Sequence, residues 1–196
     1  RFQCAWVWDL QTGTLLIPPL QHDQTVTAVA ISADGAKVIT GCADGYARVW
    51  ETSTGKLLFT PTKQNSAVRP LAISPDGTKF ITGTMSTVGT VQVWDFVTGQ
   101  PLGQPVRHVG DMGLKDSIVV TPDGSKAATH SYGGTVRIWS IGTGRDVVPP
   151  LKSSFDVSGD ATRYFERSLS VSLDATRYFE RSTDQAGRVV ELTSGE

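Results

Sequence analysis

QHDQTVTAVAISADGAKVITGCADGYARVWETSTGKLL, residues 21–58, sets the reading of the whole chain. Its apolar segments are short and β-branched: VTAVAIS at 26–32, KVITGC at 37–42 and a run ending in Trp50. Turn residues flank each of them, SADG at 32–35, DG at 44–45 and STG at 53–55, so the segments read as strands rather than helical turns. The same order recurs along the chain. Turns SPDG at 74–77 and TPDG at 121–124 repeat SADG, and the residue opening each turn precedes its Trp by 18, 20 and 18 positions. Trp8, Trp50, Trp94 and Trp139 are spaced by 42, 44 and 45 residues, and each is followed by a short turn: QTG, STG, VTG or GTG. A further apolar stretch, such as TLLIPPL or QPLGQPV, completes a period of four short strands.

Residues 21–58 resemble a WD repeat over nearly their whole length, and VWD at 7–9 and 93–95 supplies the dipeptide that names that family. The similarity is good over residues 5–151 and loose beyond. It implies an all-β fold, a β-propeller of four-stranded antiparallel WD-type blades. The expected division is a partial blade at 1–20, blades at 21–62, 63–106 and 107–151, and an irregular blade at 152–196. The chain opens on one third-strand motif, CAWVWD, and closes on another, RVVEL, with three whole repeats between. Four to five blades' worth of chain fits a fragment of a larger ring best; a half-ring pairing with a second chain and a small closed ring are the alternatives.

The resemblance also implies a buried hydrogen-bond network in each blade. His22, Thr40, Asp44 and Trp50 match all four of its roles. Gln64, Thr82 and Trp94 remain in the next repeat, and His108, Thr129 and Trp139 in the third, where Gly133 replaces the Asp. A His, an Asp and a hydroxyl are also the parts of a nucleophilic triad. Here the hydroxyl belongs inside a blade beside an indole, with no oxyanion hole identified, so the structural reading is preferred. The chain has no GxxxxGK[ST], CxxC, HExxH or Asp-rich calcium loop, and no cofactor or metal is expected. Cys42, at a strand end, reads as a packed thiol.

Eighteen Lys and Arg against 19 Asp and Glu give a formal charge of −1, without the basic excess that draws a phosphate backbone. No apolar run approaches the roughly 20 residues of a membrane helix. Two cysteines are too few for a disulfide framework, which favours a reducing, cytoplasmic setting. The chain begins at Arg1 with no visible signal peptide. These features exclude nucleic acid and membrane as first partners and leave protein. The function expected is a non-catalytic protein-interaction scaffold, a module of a larger regulatory protein. The alternatives are a self-assembling subunit that pairs through blade edges and a propeller enzyme with a channel-lined site. The inner strands carry only Arg69 and Asp116 as charged groups, which speaks against the enzyme.

In WD-repeat propellers the loops from fourth to first strand and from second to third lie on one face. Here they carry His22, Asp23, Gln64, Asn65, Met85, Arg107, His108, Asp111, Met112, His130 and Tyr132. Binding energy concentrates in Tyr and Arg anchors, so Tyr132 and Arg107 are the expected ones.

Residues 157–170 and 171–184 agree at 11 of 14 positions, far more closely than any two repeats do. The second copy keeps the 18-residue count, Ser172 to Val190, and places Glu180 where Thr40 stands and Val190 where Trp50 stands. The first copy then reads as a surplus hairpin, charged enough to protect an exposed edge or to serve as an interaction epitope.

Overall fold

The computed structural model describes residues 3–61, 63–108, 114–131 and 135–152, together with three later strands; for residues 108, 114–117, 151–152 and those last strands only the backbone is described. The strands are β1 (Cys4–Ala5), β2 (Leu20–Gln21), β3 (Val26–Ile31), β4 (Lys37–Cys42), β5 (Ala47–Glu51), β6 (Leu57–Phe59), β7 (Val68–Ile73), β8 (Lys79–Thr84) and β9 (Gly89–Asp95). They continue with β10 (Pro101–His108), β11 (Leu114–Val120), β12 (Lys126–Ser131), β13 (Thr135–Ser140), β14 (Leu151–Lys152), β15 (Leu169–Val171), β16 (Arg177–Arg181) and β17 (Gly187–Glu191). Three sheets have four strands in chain order, β3–β6, β7–β10 and β11–β14; β1 and β2 form a pair, and β15–β17 a three-stranded sheet. All pairings are antiparallel. The all-β fold of repeated four-stranded sheets is therefore present, and among the described residues the sheets do not close into a ring. This is the architecture of an incomplete WD-type propeller.

Local chemistry fixes each hairpin. In the turns at 32–35, 74–77 and 121–124 the Asp carboxylate accepts the opening hydroxyl, with Ser32 to Asp34 at 2.6 Å, Ser74 to Asp76 at 2.5 Å and Thr121 to Asp123 at 2.5 Å. The Ser74 hydroxyl and then the Thr78 N–H hold the Asp76 carboxyl down at about 2, and Thr121 with Ser125 does the same for Asp123, also about 2. The turn after each Trp has one spacing throughout: Trp8 faces Leu15, Trp50 Leu57, Trp94 Pro101 and Trp139 Asp146.

The core lies between sheets. Ala5, Val7, Ile17 and Leu20 of the first pair pack on Val38 and Trp50. Ile39, Ala47 and Val49 of the next sheet meet Val68, Phe80, Trp94 and Phe96 of the one after. There Phe80 stacks on Trp94 with ring centroids 6.1 Å apart, and Phe96 tilts against it at 5.5 Å. Ile81, Val91, Val93 and Val106 in turn meet Ala127, Trp139 and Ile141. Trp50, Trp94 and Trp139 thus each face the sheet before their own. The first copy of the duplicated segment lies outside the described residues up to Ser168, while β16 and β17 fall in the second copy and beyond it. Their register, Phe179 opposite Val189, repeats that of Ile39 opposite Val49.

Adjacent sheets approach closely at their inner strands. Thr27 donates its hydroxyl to the Val68 carbonyl at 2.7 Å, and a methyl at Gly41 would lie 2.6 Å from that same oxygen. Gly77, by contrast, has φ +67 and open space around it. Gly41→Ala is expected to cost about 3 kcal/mol, because backbone must move to admit the methyl. Gly77→Ala should cost about 1 kcal/mol, from its left-handed conformation alone. Urea denaturation of the two variants checks this order.

Candidate functional site

The buried networks come first, because they anchor the loops above them. Trp50 donates its indole N–H to the Thr40 hydroxyl at 2.9 Å, and that hydroxyl meets His22 Nε2 at 2.7 Å. His22 Nδ1 lies 2.9 Å from the Leu20 carbonyl, which can only accept. The proton is therefore on Nδ1, and Thr40 donates to Nε2. Both ring nitrogens are occupied without Asp44. That carboxylate accepts the Tyr46 N–H at 2.9 Å and pairs with Arg48 Nη2 at 2.7 Å, so it belongs to the loop and not to the indole chain.

Gln64 takes the place of His22 in the next sheet. Thr82 donates to Gln64 Oε1 at 3.1 Å and receives Trp94 at 2.8 Å, while Gln64 Nε2 is buried with no partner among the described residues. In the third sheet Trp139 donates to Thr129 at 3.2 Å.

The structure divides the residues of the expected binding face. Asp23 and Asn65 are exposed, as are Met85 and Arg107. Gln64 is committed to its network, His22 is buried, and His130 is fully buried on β12, so neither His22 nor His130 offers a ring to solvent. His130 lies on a second strand, β12, which is flanked by β11 and β13. Asp111, Met112 and Tyr132 lie outside the described residues, as does the side chain of His108. Arg107 lends its carbonyl to Arg137 Nη1, and Arg137 makes a bidentate pair with Asp146 at 2.9 and 2.6 Å.

A cluster that the sequence reading did not single out stands on this face. Two cations lie over the Tyr46 ring, the Arg48 guanidinium and the Lys63 ammonium each 5.5 Å from its centre. Asp23 reaches Arg48 at 3.9 Å, completing a patch of Asp23, Asp44, Tyr46, Arg48 and Lys63. Burial works to raise the Asp44 pKa, but the bonds from Arg48, Tyr46 and Cys42 outweigh it and keep the carboxyl ionised. Gly45, at φ +86, lets the loop seat against the neighbouring one. Its carbonyl accepts the Gln64 N–H at 2.9 Å, and a Cβ there would meet the Gln64 carbonyl at 2.8 Å. A signal was present in GYARVW: Tyr46 and Arg48 flank an alanine, so they share one side of the strand end.

Cys4 and Cys42 are free, Cys42 is buried, and burial pushes its thiol pKa up. Among the described residues no three His, Cys, Asp or Glu come together as a metal site, and no helix is long and apolar enough to cross a membrane.

Residues 13–51 match the family described as WD domain, G-beta repeat. No curated protein matches the chain. Of 1355 solved chains that match, one is the crystal structure of the computationally designed Ika8 protein. It is 24% identical with a TM-score of 0.71, and the match covers 95% of this chain and 52% of that one. The chain thus spans about half the length of that structure, and the likeness speaks to fold alone.

Two outcomes test the network. Thr40→Val strands the Trp50 N–H and should cost about 1–3 kcal/mol in thermal or urea melts. Burial, ahead of the Leu20 bond that opposes it, lowers the His22 pKa in the folded chain. Below about pH 6.5 the unfolded chain therefore takes up a proton that the folded chain resists, and stability falls as the pH drops through that value. His22→Gln, which borrows the residue used in the next sheet, should flatten the fall in melting temperature between pH 7.5 and 5.5.

Proposed function

We propose that this chain is a non-catalytic protein-binding module, one part of a larger regulatory protein working in the cytoplasm. The observation that carries the reading is the patch around Tyr46. An aromatic ring lies against Arg48 and Lys63, with Asp23 and Asp44 beside them, on loops bonded together through Gly45 and Gln64. Tyr and Arg are the side chains that most often anchor protein interfaces, and a preformed patch loses little freedom on binding. The mixture of both charge signs suits a polar protein surface better than a phosphate chain, which would meet Asp23 and Asp44 as well as the cations. Arg107 and Tyr132 extend the same face in this proposal, with Met85, His108 and Met112 as adaptable neighbours.

Chemical cross-linking in cell extract, followed by mass spectrometry, identifies the partner. With that partner purified, Tyr46→Ala and Lys63→Ala should each weaken binding tenfold or more in calorimetry and leave the melting curve unchanged. Undiminished binding by both variants would remove this patch from the interface. Measurable turnover of a small-molecule substrate by the chain would overturn the non-catalytic reading itself.

A further inference from the structure

The indole networks of the sheets β3–β6 and β7–β10 differ in one residue, and the difference bears on the Tyr46 patch. In the later sheet the Thr82 hydroxyl gives its proton to the Gln64 amide oxygen at 3.1 Å, an acceptor that does not change with pH. In the earlier sheet the Thr40 hydroxyl gives its proton to His22 Nε2 at 2.7 Å, an acceptor that can itself take up a proton.

Once it does, the network holds one donor too many. His22 Nδ1 already donates to the Leu20 carbonyl at 2.9 Å, and Trp50 already donates to Thr40 Oγ1 at 2.9 Å. A proton on Nε2 makes Thr40 Oγ1 the acceptor of two N–H groups, one from the imidazolium and one from the indole. The hydroxyl proton must then turn elsewhere. Among the described residues the acceptor within reach is the Arg48 carbonyl, 3.5 Å away and at the outer limit of a hydrogen bond.

Charge leads to the same residue. The charged groups that act on His22 are Arg48 on β5, Asp44 in the turn before β5, and Asp23 beside it in its own loop. The other groups that touch its ring, Leu20 on β2, Thr40 on β4 and Trp50 on β5, are uncharged. Asp23 has a side chain 94% exposed, so water screens what it offers. Asp44 is largely screened from water and already committed to Arg48 at 2.7 Å. An imidazolium in this buried position repels the Arg48 guanidinium and draws on the same Asp44 carboxylate.

We propose that His22 is a proton switch for the Tyr46 patch: the neutral ring keeps Arg48 against Tyr46, and protonation loosens the guanidinium and weakens what the patch binds. The effect on binding rests on the reading of this patch as a protein-binding surface; the hold of His22 on Arg48 does not. Burial resists the proton, so the folded chain switches below the ordinary imidazole value of about 6.5. Binding is complete above that pH and falls as the pH drops through the folded value.

The test is a titration of the isotopically labelled full chain from pH 7.5 to 5.5, followed by NMR. The His22 ring signal reports its own protonation. The Arg48 side-chain N–H, the Tyr46 ring and the Trp50 indole are expected to move in one transition at the pH where His22 titrates. The Trp94 indole, tied through Thr82 to Gln64, should stay in place and show that the fold is intact. His22→Gln should abolish the transition at Arg48 and Tyr46, while Asp23→Asn should keep it; if His22→Gln does not fold, coincidence with the His22 signal in the unaltered chain decides. Patch signals that stay fixed while His22 titrates, or that still move in His22→Gln, overturn the switch. So does a Trp94 indole that moves with Trp50, since the whole chain then opens. With the partner purified, binding should weaken about tenfold between pH 7.5 and 5.5, the effect of one pKa unit, and His22→Gln should show no such loss. Binding that needs Tyr46 and Lys63 but ignores pH overturns the switch and leaves the patch as a binding surface. Binding that ignores both of those side chains overturns the patch reading instead, and the hold on Arg48 still stands on the titration of the free chain.

Discussion

Every complete sheet of this protein is tied by an indole N–H given to a threonine hydroxyl, Trp50 to Thr40, Trp94 to Thr82 and Trp139 to Thr129. A tryptophan is large enough to fill the space between two sheets, but its N–H cannot be buried unpaired without a cost of about 1–3 kcal/mol. The hydroxyl on the adjacent strand settles that demand at one register only. A slip of one residue would turn the threonine to the other face and expose the apolar set with it. The hydroxyl then has its own proton to place, and His22 or Gln64, arriving from the loop that enters the sheet, accepts it. Packing, register and loop position are in this way parts of one constraint.

That constraint also positions the loop face. His22 fixes the entry to one sheet and Gln64 the entry to the next, and the Gln64 backbone is bonded in turn to Gly45 of the preceding sheet. Tyr46, Arg48 and Lys63 stand on these fixed points. The Arg48–Asp44 pair is largely screened from water and holds the guanidinium 5.5 Å from the centre of the Tyr46 ring, a position that a free surface arginine would keep only part of the time. Asp44 thus supports the binding face and leaves the indole chain to His22 and Thr40.

The first sheet shows the same constraint where, among the described residues, β1 is paired on one side only. Trp8 has the same position in its repeat and the same seven-residue step to the residue opposite, yet it lies open. An indole is buried by the strand beside it and the sheet before it, not by its own strand. Leu10, Val29 and Ile31 are open for the same reason.

The strand order, the hairpin turns and the Trp–Thr pairs were legible in the sequence, because each depends on spacing within one repeat. SADG, SPDG and TPDG place a carboxylate two residues after a hydroxyl, and that geometry is local. Alternation then puts Thr40 beside Trp50 once the turn is known. What the sequence could not decide lies across interfaces. Asp44 had two bases within reach, His22 and Arg48, and the fold gave it to Arg48 because the Leu20 carbonyl already held Nδ1 of His22. His130 looked like a loop residue and is buried, since it lies on β12, a strand paired on both sides by β11 and β13. Lys63 met Tyr46 only when two sheets came together. Residue chemistry and local spacing determined the repeating unit; only packing between units decided which polar groups were buried, which were paired, and which face was left open.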